Sequence, residues 1–189
     1  MKYLLPLASG LNVKPLSLAL KRNAALWNRY NARTTVGDSP HAGADDIWVR
    51  YAASLEEGKV PHDSVWYPEA ILALPTVRDL VFQIMAMVQG ERLGGVLITR
   101  VPAGGKIAPH SDHSWHAHHY DKFAVQIESH QQQAFHFHDG GFSAAPGDLY
   151  WFNNQAEHWV TNDSPVDRIT MIVCIKTNQF NQAACAEKG

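Results

Sequence analysis

From residue 96 onward the chain passes through six short runs of β-branched and aromatic residues, at 96–101, 122–128, 134–138, 148–152, 158–162 and 168–176. Gly, Pro and Asn divide them, with no helical period between. Short strands that follow one another without crossover helices pair antiparallel, and the closure that leaves fewest exposed edges is a jelly-roll or cupin-like barrel. The expected fold class is therefore mainly β with flanking helices. At 189 residues the chain suits a single domain with one core. It reads as one domain over 1–189, with 93–178 forming the barrel and 1–92 a buttress of helices and strands.

The buttress carries its own signals. Val77, Leu80, Val81, Ile84, Met85 and Val88 recur at i, i+3, i+4, i+7 spacing, which predicts a helix over 76–90 with Gly90 as its stop. A second helix is expected over 15–30, a strand over 46–51, and Gly- and Pro-containing loops over 33–45 and 56–68. The longest apolar runs fall short of the roughly 20 residues a membrane helix requires. The stretch from Met1 to Ala8 has one charge and is interrupted by Pro6, which does not suit a signal-peptide core, so the cytoplasm is the expected compartment. With 16 Lys+Arg against 18 Asp+Glu and the basic residues scattered, nothing marks a partner of nucleic-acid or anionic-membrane type. Cys174 and Cys185 are too few for a disulfide framework or a cysteine-based zinc site.

Histidine is the composition's departure from the ordinary, with 11 in all and most of them between His110 and His138. His110 and Asp112 stand two residues apart, so on extended backbone both side chains leave one face and can share a metal. His158, opening a later strand, is the natural third ligand, expected to meet them from a non-neighbouring strand across the barrel mouth. Two histidines and one carboxylate make the facial triad of non-haem Fe(II) oxygenases. Taken alone a His-x-Asp is common and reads as a solvated loop. Arg168 shifts the balance: it opens a strand whose neighbours alternate into a core, and an interior arginine needs an anion. A dicarboxylate chelating the metal at one end would reach that guanidinium with the other.

The stretch from Pro102 to Lys176 holds Pro-Ala-Gly-Gly-Lys-Ile-Ala-Pro-His-Ser-Asp, then Pro146-Gly147-Asp148 leading to Asn153-Asn154, then His158-Trp159-Val160-Thr161-Asn162-Asp163-Ser164 and Arg168. In this order these motifs resemble the aspartyl/asparaginyl β-hydroxylase family of 2-oxoglutarate-dependent oxygenases, with a fainter echo at 45–50. The resemblance implies a double-stranded β-helix that uses Fe(II), 2-oxoglutarate and O2 to hydroxylate a carbon of an amino-acid-like or peptidyl substrate, releasing succinate and CO2. It assigns His110, Asp112 and His158 to the metal and Arg168 to the 2-oxoglutarate carboxylate. Thr99 falls at a hydroxyl position beside that carboxylate, and Lys122 at a basic position opening the next strand.

The chain departs from the family pattern at Ala124, where a histidine is common. The missing polar contact is either absent or supplied by Gln126 on the same strand face. The residues themselves leave two other readings open: a cupin-like metalloprotein using another metal without 2-oxoglutarate, and a non-catalytic barrel that binds a small molecule. His113, His116, His118 and His119 read as a polar loop at the barrel mouth, with a second metal or a substrate carboxylate as the other assignments. His136 and His138 share one strand face opposite Phe135 and Phe137. His41 and His62 sit in Gly/Pro loops where no role is expected.

Overall fold

The computed structural model describes residues 1–52 and 64–180. Most of the expected loop at 56–68, with His62, and also Cys185, lie outside them. The strands are β1 (Leu4–Ala8), β2 (Asp45–Ala52), β3 (Ser64–Trp66), β4 (Arg92–Val101), β5 (Lys106–His110), β6 (Asp121–Glu128), β7 (Gln133–Phe137), β8 (Gly140–Phe142), β9 (Leu149–Phe152), β10 (His158–Asn162) and β11 (Arg168–Lys176). The helices are α1 (Lys14–Arg22), α2 (Ala32–Thr35), α3 (Pro68–Ala73), α4 (Thr76–Met87) and α5 (Trp115–His119).

Two antiparallel sheets face each other, one ordered β1-β9-β6-β11-β4-β2-β3 and the other β5-β10-β7-β8. The large sheet is covered on both sides, so its strands read as nearly continuous apolar runs. On β6, Phe123, Val125 and Ile127 join a core with Leu16 and Leu20 of α1 and with Val77, Leu80, Val81 and Ile84 of α4. On β11 the same side is filled by Ile169, Met171, Val173 and Ile175. The other face looks into the barrel, where Ala124, Tyr150 and Phe152 meet Ile107, Phe135, Phe137 and Val160 of the small sheet. Burying the four apolar residues of α4 is worth about 6–12 kcal/mol, which is what fastens the helix across the sheet. Among the described residues no helix is long and apolar enough to cross a membrane.

The β runs of the barrel fall where the sequence puts them, whereas the N-terminal part departs from expectation in instructive ways. The helix expected over 15–30 stops at Arg22, because Asn23 leaves the helical region and its Nδ2 donates to the Ala19 carbonyl at 2.9 Å. A single 3-10 turn, Ala24–Leu26, follows. Leu4–Ala8 forms an edge strand on β9, a place that tolerates Pro6, and the register shifts just after the proline. Helix α4 ends at Met87, and it is Gln89 that takes the left-handed conformation, at φ 51°. Gly90 is required for a different reason: a Cβ there would lie 2.5 Å from Cγ2 of Ile175 on β11. Strands β1 and β2 hydrogen-bond into the large sheet beside β9 and β4, so the first part of the chain contributes strands to the barrel wall.

Candidate active site

His110 is the last residue of β5 and His158 the first of β10, and they are direct register partners in the small sheet. This corrects the expectation of non-neighbouring strands: residues 48 apart in sequence sit side by side because β10 hydrogen-bonds to β5. Asp112 follows past the strand end, where its backbone N–H donates to the Asn154 carbonyl at 2.9 Å. Ligand atoms of His110, Asp112 and His158 all lie within 4.8 Å of one another. Among the described residues they are the one group with three donors close enough to hold a metal.

The histidines are set up as ligands by their own backbone. Nδ1 of His110 faces the Ala108 carbonyl at 2.8 Å, and Nδ1 of His158 the Ala156 carbonyl at 2.9 Å. A ring nitrogen held against a carbonyl oxygen must carry the proton, so Nε2 keeps its lone pair on both rings. The His158 ring is further fixed between Phe135, stacked at 5.4 Å, and Phe152, edge-on at 5.5 Å. Burial lowers the His110 pKa and brings that of His158 to about 4, so both are neutral at physiological pH. For Asp112 burial acts to raise the pKa, and the ammonium of Lys122, in direct contact, with the two imidazoles overrides it and holds the carboxyl well below the usual range. Two neutral imidazole nitrogens and one carboxylate oxygen, converging beside a cavity, are the donor set that suits Fe(II).

The cavity, of about 270 Å³, runs inward from these three side chains between the two sheets. At its inner wall Arg168, 5% exposed, donates from Nη2 to the Tyr150 hydroxyl at 3.2 Å. Among the described residues no carboxylate pairs with it. A buried guanidinium with only a phenol for company retains unmet donors and an unbalanced charge. Lys122 also lines the cavity, its Nζ donating to Asp112.

Two expectations change. Gln126 is fully buried, and its amide donates to the Glu128 and Ile169 carbonyls while accepting from Thr170, so it has nothing to offer a cosubstrate. Neither it nor Ala124 is among the residues lining the cavity. Thr99 does line it, but its hydroxyl donates to Asp46 and accepts from Arg33, each at 2.8 Å.

That contact exposes what sequence reasoning missed. Asp46, fully buried on β2, receives Nε and Nη2 of Arg33 at 2.8 Å each, a two-point ion pair that anchors α2 against the barrel. Arg33 and His41 both line the cavity, and the His41 ring meets that of His110 edge-on at 4.7 Å. Burial first, then the positive groups around it, brings His41 to about 2, so it too is neutral. The loop at 33–45 gave no motif for either residue. The available signal was Asp46, an acid in an apolar strand, within the faint family echo. The histidine-rich loop forms α5, capped by the Ser114 hydroxyl, and only His116 of its histidines lines the cavity, accepting from the Gly95 N–H at 3.4 Å. His136 faces outward, stacked on Trp159 at 5.3 Å, with Phe135 and Phe137 turned into the core.

A profile of the aspartyl/asparaginyl β-hydroxylase family matches residues 19–177, and the chain belongs to that family. It is a 2-oxoglutarate-dependent hydroxylase with Fe(II) as its metal. No curated protein sequence matches it significantly. Among solved structures it is similar in fold to a viral collagen prolyl hydroxylase of Paramecium bursaria Chlorella virus-1, solved with 2-oxoglutarate, at TM-score 0.52 and 10% identity over 93% of this chain and 96% of that one. A Pseudomonas putida prolyl-4-hydroxylase gives TM-score 0.52 and 14% identity over 93% and 92% of the two chains. An oxidoreductase of the 2-oxoglutarate/Fe(II) oxygenase family from Burkholderia pseudomallei gives 0.52 and 13% over 70% and 67%. At these identities the likeness establishes the double-stranded β-helix.

Proposed function

We propose that His110, Asp112 and His158 hold the iron, that Arg168 receives the distal carboxylate of 2-oxoglutarate, and that the enzyme hydroxylates a carbon of an amino-acid-like or peptidyl substrate. The observation that carries this reading is the pairing, in one cavity, of three convergent ligand atoms with a buried guanidinium that has no carboxylate partner among the described residues. When bound, iron with 2-oxoglutarate and O2 supplies the oxidising power that places one oxygen atom on the substrate carbon, with succinate and CO2 as co-products.

The chain's own contribution is orientation and charge. Arg168 offers a planar fork that fixes one end of a dicarboxylate, with the Tyr150 hydroxyl holding the fork in plane. Lys122 balances the Asp112 carboxylate and keeps a cation beside the cosubstrate path. The aromatic wall of Phe135, Phe152 and Tyr150 excludes water from the interior. The test is succinate formation from 2-oxoglutarate under O2 with Fe(II), alongside calorimetric titration of the Ni(II) form with 2-oxoglutarate. Binding of 2-oxoglutarate and O2-dependent succinate are expected; a metal-loaded protein that neither binds nor turns over 2-oxoglutarate sinks the reading.

A further inference from the structure

The two imidazoles of the metal-ligand group are supported unequally. His158 is 4% exposed, and its ring is walled by Phe135 at 5.4 Å, Phe152 at 5.5 Å and Phe137 at 6.0 Å, all residues of barrel strands. His110 ends β5, where the chain leaves the sheet, and its side chain is 13% exposed. Among the described residues no phenyl ring packs on it. The bond from its Nδ1 to the Ala108 carbonyl leaves Nε2 for the metal, but the turn of a ring about its Cβ–Cγ bond is a soft torsion that one hydrogen bond does not fix. Apart from His158, the ring that bounds it is that of His41, edge-on at 4.7 Å with 78° between the planes.

His41 does not come from a barrel strand. The segment 33–44 delivers it, and that segment is pinned along its length. Arg33 is held to the buried Asp46 at two points. The Ser39 hydroxyl donates to the Arg33 carbonyl at 2.5 Å and accepts the His41 N–H at 3.2 Å, and the Ala44 N–H closes the turn on the His41 carbonyl at 3.0 Å. The Ala108 N–H then donates to the Pro40 carbonyl at 2.9 Å. Ala108 is also the residue whose carbonyl holds His110, so the docking of this segment and the orientation of His110 meet at one residue of β5. His41 itself stands outside the group of three ligand residues. Its contact with the metal site is the ring of His110.

We propose that His41 is a positioning residue for the metal: its ring fixes the plane of the His110 imidazole, and the segment 33–44 thereby completes, from outside the barrel, a ligand set that the barrel strands support on the His158 side alone. This rests on the assignment of His110 to the metal made above. It follows that a side chain which never approaches the ion can tune it, and Ser39, which shapes the turn leading to His41 and does not line the cavity, is the one to ask. The test is titration of metal-free protein with Co(II) alone, read by the dissociation constant and by the visible absorption bands, which report the arrangement of the ligands. His41→Ala is expected to weaken Co(II) about tenfold or more and to alter the bands, the loss usual when a group orienting a metal-bound histidine is removed. His41→Phe restores a ring edge and should bind Co(II) as the parent does, with the parent's bands.

His41→Leu fills the space without a planar edge and should behave as His41→Ala, which keeps the contrast readable if the alanine variant does not fold. Ser39→Ala is expected to cause a smaller loss of Co(II) affinity in the parent and none in the His41→Ala or His41→Leu background, because the two changes act through one contact and cannot add. Metal-free melting temperatures should stay close together while the Co(II)-loaded ones separate. Parent-like affinity and bands in His41→Ala or His41→Leu overturn the proposal, and so does a His41→Phe protein that binds no better than His41→Leu. A Ser39→Ala loss that persists in the absence of the His41 ring, or melting temperatures that fall equally with and without Co(II), overturns it as well. Failure of the parent to bind Co(II) would instead remove the metal assignment itself, and this inference with it.

Discussion

Asp112 carries two relationships at once, facing His110 and His158 on one side and Lys122 on the other. Asp112→Ala removes a ligand and leaves Lys122 without its counter-ion. With one of three ligand groups gone and the half-buried Lys122 charge left unpaired, Fe(II) affinity measured by titration should fall about two orders of magnitude and turnover with it. Retention of the fold, read by circular dichroism, is expected because the site lies at the rim of the barrel. Arg168 differs in having no acid of its own among the described residues. Arg168→Ala should weaken 2-oxoglutarate by a similar factor and Arg168→Lys by less, with metal affinity preserved in both, since the charge survives in lysine but the fork does not. Unchanged 2-oxoglutarate affinity in Arg168→Ala would remove that residue from the site. A third residue, Asp121, 4% exposed, accepts from the Thr177 hydroxyl at 2.6 Å and the Trp151 indole at 3.3 Å. Burial outweighs these bonds and raises its pKa. A carboxyl whose folded pKa exceeds its unfolded one contributes most below the unfolded value and loses that contribution as pH rises through the folded one. Asp121→Asn should therefore gain thermal stability relative to the parent as pH increases from 3 to 7, and a constant difference across that range would contradict the assignment.

Elements meet at closely fitted points, and those points decide which substitutions matter. Gly90 lets the turn after α4 lie against Ile175 of β11. Gly90→Ala should cost about 1–3 kcal/mol in denaturant unfolding, the usual range for an overpacked contact. Asn162 ties several segments together: its Nδ2 reaches the Val101, Pro102 and Val166 carbonyls and its Oδ1 receives Ser164. It thereby locks the end of β10 to the end of β4, next to Arg168, whose register partner is Val101. The strands were legible because β-branched and aromatic content between Gly, Pro and Asn breaks persists even where burial on both faces removes the alternation. β10 and β11 fall within the very bounds the sequence indicates, 158–162 and 168–176. What escaped were short elements lacking a period of their own: β1, held by pairing with β9, β5 and β8, held by pairing with β10 and β7, α2 and β3 within the expected loops, and α5, a single turn defined by its Ser114 cap. The helix over 15–30 was overextended because Asn23 acts through a side-chain hydrogen bond that a hydrophobic pattern does not register.

For the whole molecule, the clustering of His110, Asp112 and His158 was legible because metal chemistry restricts residue type at fixed spacing. Arg33 and His41 were not, since they arrive from α2 and the segment after it, outside the barrel, and gain meaning only when β2 brings Asp46 beside Thr99. Because the ligand set joins the end of β5 to the start of β10 at the cavity, loading the site should stabilise the entire fold. At one hundred times its dissociation constant a ligand adds about 2.7 kcal/mol, which for a chain of this size corresponds to a rise of about 5–10 °C in Tm. Calorimetric melting with Ni(II) and 2-oxoglutarate, against a chelator-treated sample, checks this, and no shift would mean that the cluster does not bind metal in the folded state.

The carbonyls of Ala108 and Ala156 hold the two imidazoles ready before any ion arrives. A pocket so prepared discriminates poorly among divalent ions, whose order of preference is intrinsic to the donors and runs against iron. The purification history of a sample therefore becomes part of its enzymology. Protein isolated over a nickel resin, or from cells rich in zinc, will carry the competitor in place of iron, and its idleness will report the provenance of its metal and not the capacity of the fold. Stripping followed by anaerobic reloading with ferrous iron is the step on which every activity comparison among variants depends.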